Sequence, residues 1–161
     1  MLNKNQIVEA LETVMDPEIP TISIWDLGIV TDIQIFNNSD IKVTLTPTFS
    51  GCPALKVMED LVKEKMSSLG INAEVETTYE TNWSTERITE KGRLALLKHG
   101  LAPPPHLKDG LIELDILSDV ACPYCNSRNT SMNTPFGPTL CRSLHYCHNC
   151  KQAFEQFKPV D

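Results

Sequence analysis

Cys122-Pro-Tyr-Cys125 and, 22 residues on, Cys147-His-Asn-Cys150 decide how this chain is organised. Each Cys-x-x-Cys pair sets two sulfurs at the tip of a tight turn, and two such tips facing one another make a tetrahedral thiolate cage. A pair of disulfides, or thiols with no shared task, would use the same residues. The spacing favours one shared structural metal, zinc, on Cys122, Cys125, Cys147 and Cys150, although a rubredoxin-like iron site would take the same ligands.

Upstream of the first pair, Leu111 to Leu117 forms a short strand-like run, and Pro103-Pro104-Pro105 stops whatever helix precedes it. The expected division is therefore a domain over 1–105, with a helical extension, and a zinc-ribbon module over 106–161.

The first part alternates between helical and extended periods. Ile7, Val8, Leu11, Val14 and Met15 make one apolar helical stripe over 5–15, closed by Asp16-Pro17. Ile24-Trp25-Asp26-Leu27-Gly28 reads as a turn with Gly28 at positive φ. Two strands follow, Ile29–Phe36 and Ile41–Thr46, joined by the turn residues Asn37-Asn38-Ser39. A second helix is expected to start at Pro53 and to end at Leu69-Gly70, with Gly70 in the left-handed cap. Val75, Thr77 and Tyr79, set against Glu74, Glu76 and Glu80, give a third strand with one wet face. The order α-β-β-α-β predicts an α+β fold, helices on one sheet. A last helix starts at Thr89-Glu90 and runs towards Gly100, with Trp83 expected to anchor it.

Charge and length exclude several functions. The 161 residues carry a formal charge of -7; residues 1–105 hold 15 acidic and 9 basic side chains, and residues 106–161 hold 6 and 5. Nucleic-acid-binding ribbons need a basic surface, and only Arg128 and Arg142 lie between the two cysteine pairs, so no nucleic-acid partner is expected. No window is long and apolar enough for a membrane span, and the start lacks a secretory apolar block. With six cysteines and no export signal, a reducing cytoplasm is the expected location.

Outside the tetrad, Cys52 stands in Ser50-Gly51-Cys52-Pro53, where the cap of a helix would favour a thiolate. Such a thiol could attack an electrophile or hold a soft metal; it could equally be a small residue packed at a helix start. Asp16, Glu18 and Asp26, in loops flanking the first strand, could join it in a transient iron site, or act as solvated loop acids and caps. Cys141 reads as a filler of the ribbon hairpin or as a fifth thiol near the metal. His99, His106, His145 and His148 all lie outside the sheet-and-helix core, which weakens a Cys–His dyad.

Asp16-Pro-Glu-Ile-Pro20, Ser23-Ile-Trp-Asp-Leu-Gly-Ile-Val30 and Thr46 to Ala54 resemble the domain family of iron–sulfur assembly factors that includes SufT. Trp83, Ile88-Thr-Glu-Lys-Gly-Arg93, Gly100-Leu-Ala-Pro-Pro104, both cysteine pairs, Phe136-Gly137, Cys141 and Phe154-Glu-Gln-Phe-Lys158 extend the likeness to the PaaD (PaaJ) family, one of the subunit families of phenylacetyl-CoA oxygenase (1,2-epoxidase). The resemblance covers almost the whole chain. One departure is Pro47-Thr-Phe-Ser-Gly-Cys52, where the broader assembly family often has a shorter loop.

What the resemblance implies is an accessory protein rather than the oxygenase itself. Cys52 matches the family's reactive cysteine, with Asp16, Glu18 and Asp26 at its other signature positions. Expected cofactors are structural zinc and a transient iron or iron–sulfur cluster. Expected partners are oxygenase subunits, other iron-protein clients, or a second copy of the chain. A ribbon acting only as a docking module, and a thiol enzyme using Cys52, are the alternatives.

Overall fold

The computed structural model describes residues 2–107 and 119–160. The strand-like run Leu111 to Leu117 lies outside the described residues. The chain divides into two compact units, Met1–Trp83 and Ser84–Asp161. The triproline expected as the boundary thus falls inside the second unit.

In the first unit, α1 (Lys4–Leu11) is opened by a capping box in which the Asn3 side chain accepts from Gln6 N–H and the Gln6 side chain accepts from Asn3 N–H. The helix stops at Leu11 rather than near residue 15. Val14 and Met15 leave it because the returning loop takes their backbone groups: Ile24 N–H donates to Val14 O, Asp16 N–H to Ile22 O, and Met15 bridges Ser23. Ile19, Ile22, Ile24, Leu27 and Ile29 are all buried, so this loop is part of the core.

Strands β1 (Val30–Ile35) and β2 (Asp40–Leu45) pair antiparallel, and β3 (Asn72–Thr77) joins β2 in parallel, giving the order β1-β2-β3. A register shift between Val30 and Asp32 breaks the expected alternation of β1, so that Val30 and Ile33 are both buried; Ile35 and Phe36, where the strand ends, are exposed. β3 ends at Thr77, leaving Tyr79 beyond it and exposed.

The crossover between β2 and β3 is α2 (Leu55–Ser68), whose stripe Ala54, Met58, Val62 and Met66 repeats every fourth residue and is buried. It ends in a Schellman motif: Ile71 N–H reaches Met66 O, Gly70 N–H reaches Ser67 O, and Gly70 takes φ 73°. The helix begins later than expected, with Ala54 at the cap. Trp83 is buried in this unit, its indole bonded to Leu27 O, so its anchor is the Gly28 turn.

In the second unit, a 3-10 turn (Thr85–Arg87) leads to α3 (Glu90–Lys98), capped by the Thr89 side chain accepting from Gly92 N–H. Among the described residues four strands follow: β4 (Leu101–Ala102), β5 (Thr130–Thr134), β6 (Arg142–Cys147) and β7 (Ala153–Phe157), in the order β4-β7-β6-β5. β5, β6 and β7 pair antiparallel, and β4 runs parallel to β7. Among the described residues no helix is long and apolar enough to cross a membrane.

Candidate functional site

The two cysteine turns are built alike, backbone bond for backbone bond. Cys122 N–H donates to Ser127 O and Asn126 N–H returns to Cys122 O; Cys147 N–H donates to Gln152 O and Lys151 N–H returns to Cys147 O. The residue after the second cysteine is left-handed in both, Asn126 at φ 59° and Lys151 at φ 62°. Asparagine visits that region readily; lysine does so against its Cβ. The second turn is also the β6–β7 connection, so the sheet register aims Cys147 and Cys150 at the first turn.

The four sulfurs lie within 4.8 Å of one another, with Cys122 and Cys150 at 3.7 Å and Cys125 and Cys147 at 3.5 Å. Sulfurs each about 2.3 Å from a tetrahedral zinc stand about 3.8 Å apart, so the donor set and its spacing fit zinc. Thiols this close share their charge unevenly. Cys125 is held down to about 6, chiefly by the backbone N–H of Ser127 and then by the Asn149 side chain. Cys150 is pushed up to about 12 by burial and its sulfur neighbours. A divalent cation neutralises this repulsion, which is why such sites exchange protons for metal.

Three of the four cysteines rest on a small core. Cys122 and Cys147 are buried with Ala102, Val120 and Phe154, and Cys150 packs against them. Cys125 is exposed. Beside this core, His145 is fully buried, stacked on Phe154 at 5.4 Å and bonded through Nε2 to Ser143 Oγ at 2.9 Å. Burial pushes its imidazole down, while Gln156 works the other way. His145 Nδ1 and Gln156 Oε1 nonetheless lack a well-formed hydrogen bond, so Gln156 is an electrostatic neighbour rather than a clean partner. His145 stands outside the metal group, as do His148, exposed on Ser131, and Cys141, buried against Thr139 Oγ1.

In the first unit, Cys52 is half-buried between Gly51 at φ 83° and Pro53, two residues ahead of the α2 cap, with its carbonyl accepting from Leu55 N–H. Sequence placed it at the cap itself; an αR turn at Ala54 moves the helix start downstream. Asp16 is buried and its Oδ1 accepts from Glu18 and Ile19 N–H at 2.8 Å each. Asp26 is buried and its Oδ2 accepts from Ser23 Oγ, which in turn accepts from Asp26 N–H. These two acids hold the loop over 14–29 in shape. Among the described residues, no metal-binding group of three or more His, Cys, Asp or Glu donors forms besides the ribbon tetrad, so Cys52, Asp16, Glu18 and Asp26 do not close on one point.

Sequence patterning missed Arg93, whose guanidinium is buried against the carbonyls of Pro104 and Thr85. It also missed the Ser143–His145–Gln156 row. An arginine on an exposed-looking helix and polar residues alternating along short strands carry no such signal on their own.

Comparison with known proteins follows the same division. Residues 114–158 match the PaaD zinc β-ribbon domain, and residues 4–77 match the iron–sulfur cluster assembly protein model. The chain is 31% identical over 97% of its length, and 93% of the relative's, to an Escherichia coli protein named as one component of a "Putative 1,2-phenylacetyl-CoA epoxidase". It is 32% identical, over 58% of its length and 90% of the relative's, to a Porphyromonas gingivalis Fe-S protein maturation auxiliary factor. A solved Bacillus anthracis domain of unknown function, DUF59, superposes with a TM-score of 0.54 at 31% identity, covering 58% of this chain and 90% of that one.

Proposed function

The chain belongs to the PaaD family, and from that premise we propose that it is an accessory protein that matures an iron-containing partner, with Cys52 handling the cargo. A role in iron–sulfur maturation is supported by the assembly-domain match over 4–77 and by relatives named as maturation auxiliary factors. The partner proposed here is a component of phenylacetyl-CoA epoxidase, after the name of the Escherichia coli relative.

The observation that carries this reading is Cys52 itself. It is half-buried rather than sealed in, it follows a glycine that leaves open space where a Cβ would stand, and it precedes the start of α2. The unpaired N–H groups of a first helical turn favour negative charge nearby. One thiol does not hold a cluster, and Asp16 and Asp26 are engaged in shaping their loop. The remaining ligands for iron or a cluster as cargo then come from the client or from a second copy of the chain, which makes the holding brief and the transfer direct. A thiol enzyme is less well supported: Met1–Trp83 contains no histidine to serve as base within that unit.

Replacing Cys52 with Ser while leaving the ribbon intact tests it. Iron content and activity of the co-expressed epoxidase component should fall several-fold, and full loading with the variant would overturn the role. A second reading, docking by the ribbon, draws on Phe136 and Leu140, which are 72% and 61% exposed on the β5–β6 connection. On that reading Phe136→Ser with Leu140→Ser abolishes co-purification with the component, whereas Cys52→Ser does not.

A further inference from the structure

The four cysteines of the ribbon are not equivalent, and the difference is one of position. Cys122 and Cys147 are 2% and 0% exposed and belong to the small core; Cys150 packs against it; Cys125 alone of the four is exposed and outside it. The Cys125 sulfur accepts from Asn149 Nδ2 at 3.6 Å, a side chain that is itself exposed. It lies 3.5 Å from the Cys147 sulfur.

We propose that Cys125 is the labile ligand of the ribbon site and its point of oxidation, where a hydroperoxide converts the Cys125–Cys147 pair into a disulfide and opens the cage. This inference stands apart from any role of Cys52.

The chemistry balances in two steps. The Cys125 thiolate attacks the outer oxygen of the hydroperoxide; the O–O bond breaks, the sulfur becomes a sulfenic acid, and an alkoxide or hydroxide departs. The Cys147 thiolate then attacks that sulfur, the S–O bond breaks, hydroxide leaves, and the S–S bond forms. Two electrons pass from the two sulfurs to the peroxide oxygens. A divalent ion in the cage loses two of its four thiolates. Order of attack follows access: a peroxide reaches Cys125 from solvent, while Cys122 and Cys147 are buried within the small core. Asn149 tempers the reaction, because an N–H donor draws charge from the sulfur and lowers its nucleophilicity.

The experiment uses the zinc-loaded full chain, iodoacetamide and hydrogen peroxide as probes, peptide mapping by mass spectrometry, and a chromogenic indicator for released zinc. Iodoacetamide should modify Cys125 at least tenfold faster than Cys122, Cys147 or Cys150, with Cys52 as an internal reference. Peroxide should yield a Cys125–Cys147 disulfide and release zinc in step with it. Asn149→Ala should speed labelling of Cys125 several-fold and leave the Cys52 rate unchanged. A common rate for all four ribbon cysteines, Cys150 reacting first, a disulfide to another partner, or no response to Asn149→Ala would each overturn the proposal.

Discussion

The indole N–H of Trp83 donates to the carbonyl oxygen of Leu27 at 3.0 Å, tying the last residue of the first unit to a turn 56 positions earlier. That turn leads through Gly28 into β1. Trp83→Phe should keep most of the buried ring area and lose the bond, leaving a buried carbonyl short of a donor. The expected cost is about 1–3 kcal/mol. Urea unfolding of the full chain, followed by the fluorescence of the remaining Trp25, measures it; an unchanged midpoint would refute the tie.

Lys151 carries a left-handed backbone at φ 62°, a conformation costing an L side chain roughly 1–2 kcal/mol. Lys151→Gly removes that cost and adds some chain entropy to the unfolded state, so a net gain of roughly 0.5–1 kcal/mol is expected. Competition with a chelator should show the ribbon holding zinc more tightly in the variant. Asn126→Val, at the matching position of the other turn, should act in the opposite sense.

Gly137 has no room for a side chain. A Cβ there would stand 2.9 Å from Arg142 O, the same oxygen that accepts the Gly137 N–H. Gly137→Ala must push the β5–β6 connection apart, at about 1–3 kcal/mol. Thermal unfolding of the zinc-loaded protein gives the size, and faster amide exchange at Gly137 and Arg142 gives the place.

Glu86 links the 3-10 turn to the segment that follows the triproline. Its carboxylate accepts from Leu107 N–H, contacts the His106 ring and faces Arg93. The Leu107 N–H first, then His106 and Arg93, hold its carboxyl below the usual glutamate range. A depressed carboxyl adds stability that is complete above the unfolded value and is lost as pH falls through the lowered folded value. The Leu107 amide should therefore lose exchange protection only on acidification below the ordinary glutamate range, and Glu86→Gln should remove that dependence.

The ribbon was the most legible part of the chain, because four ligand positions follow from spacing and need no knowledge of packing. The order α-β-β-α-β was legible for a related reason: Ile41, Val43 and Leu45, and the stripe from Ala54 to Met66, state their periods plainly. Ends were not. Val14 continues the helical pattern, yet Ile24 takes its carbonyl, and a single register shift at Val30–Asp32 puts Val30 and Ile33 both in the core against simple alternation. The loop acids show the same limit at the site. Asp16 and Asp26 look like ligands in a linear reading, but each is occupied by hydrogen bonds to neighbours within three residues.

The paired cysteine turns have one more consequence. Their shape is written in amide bonds and two dihedral angles, not in the side chains at their tips. Pro123 and Tyr124 on one and His148 on the other can therefore drift independently, whereas Asn149, which donates to the Cys125 sulfur, is tied to the grip on the ion. Relatives of this protein can share a rigid mount and still differ in most of what it displays.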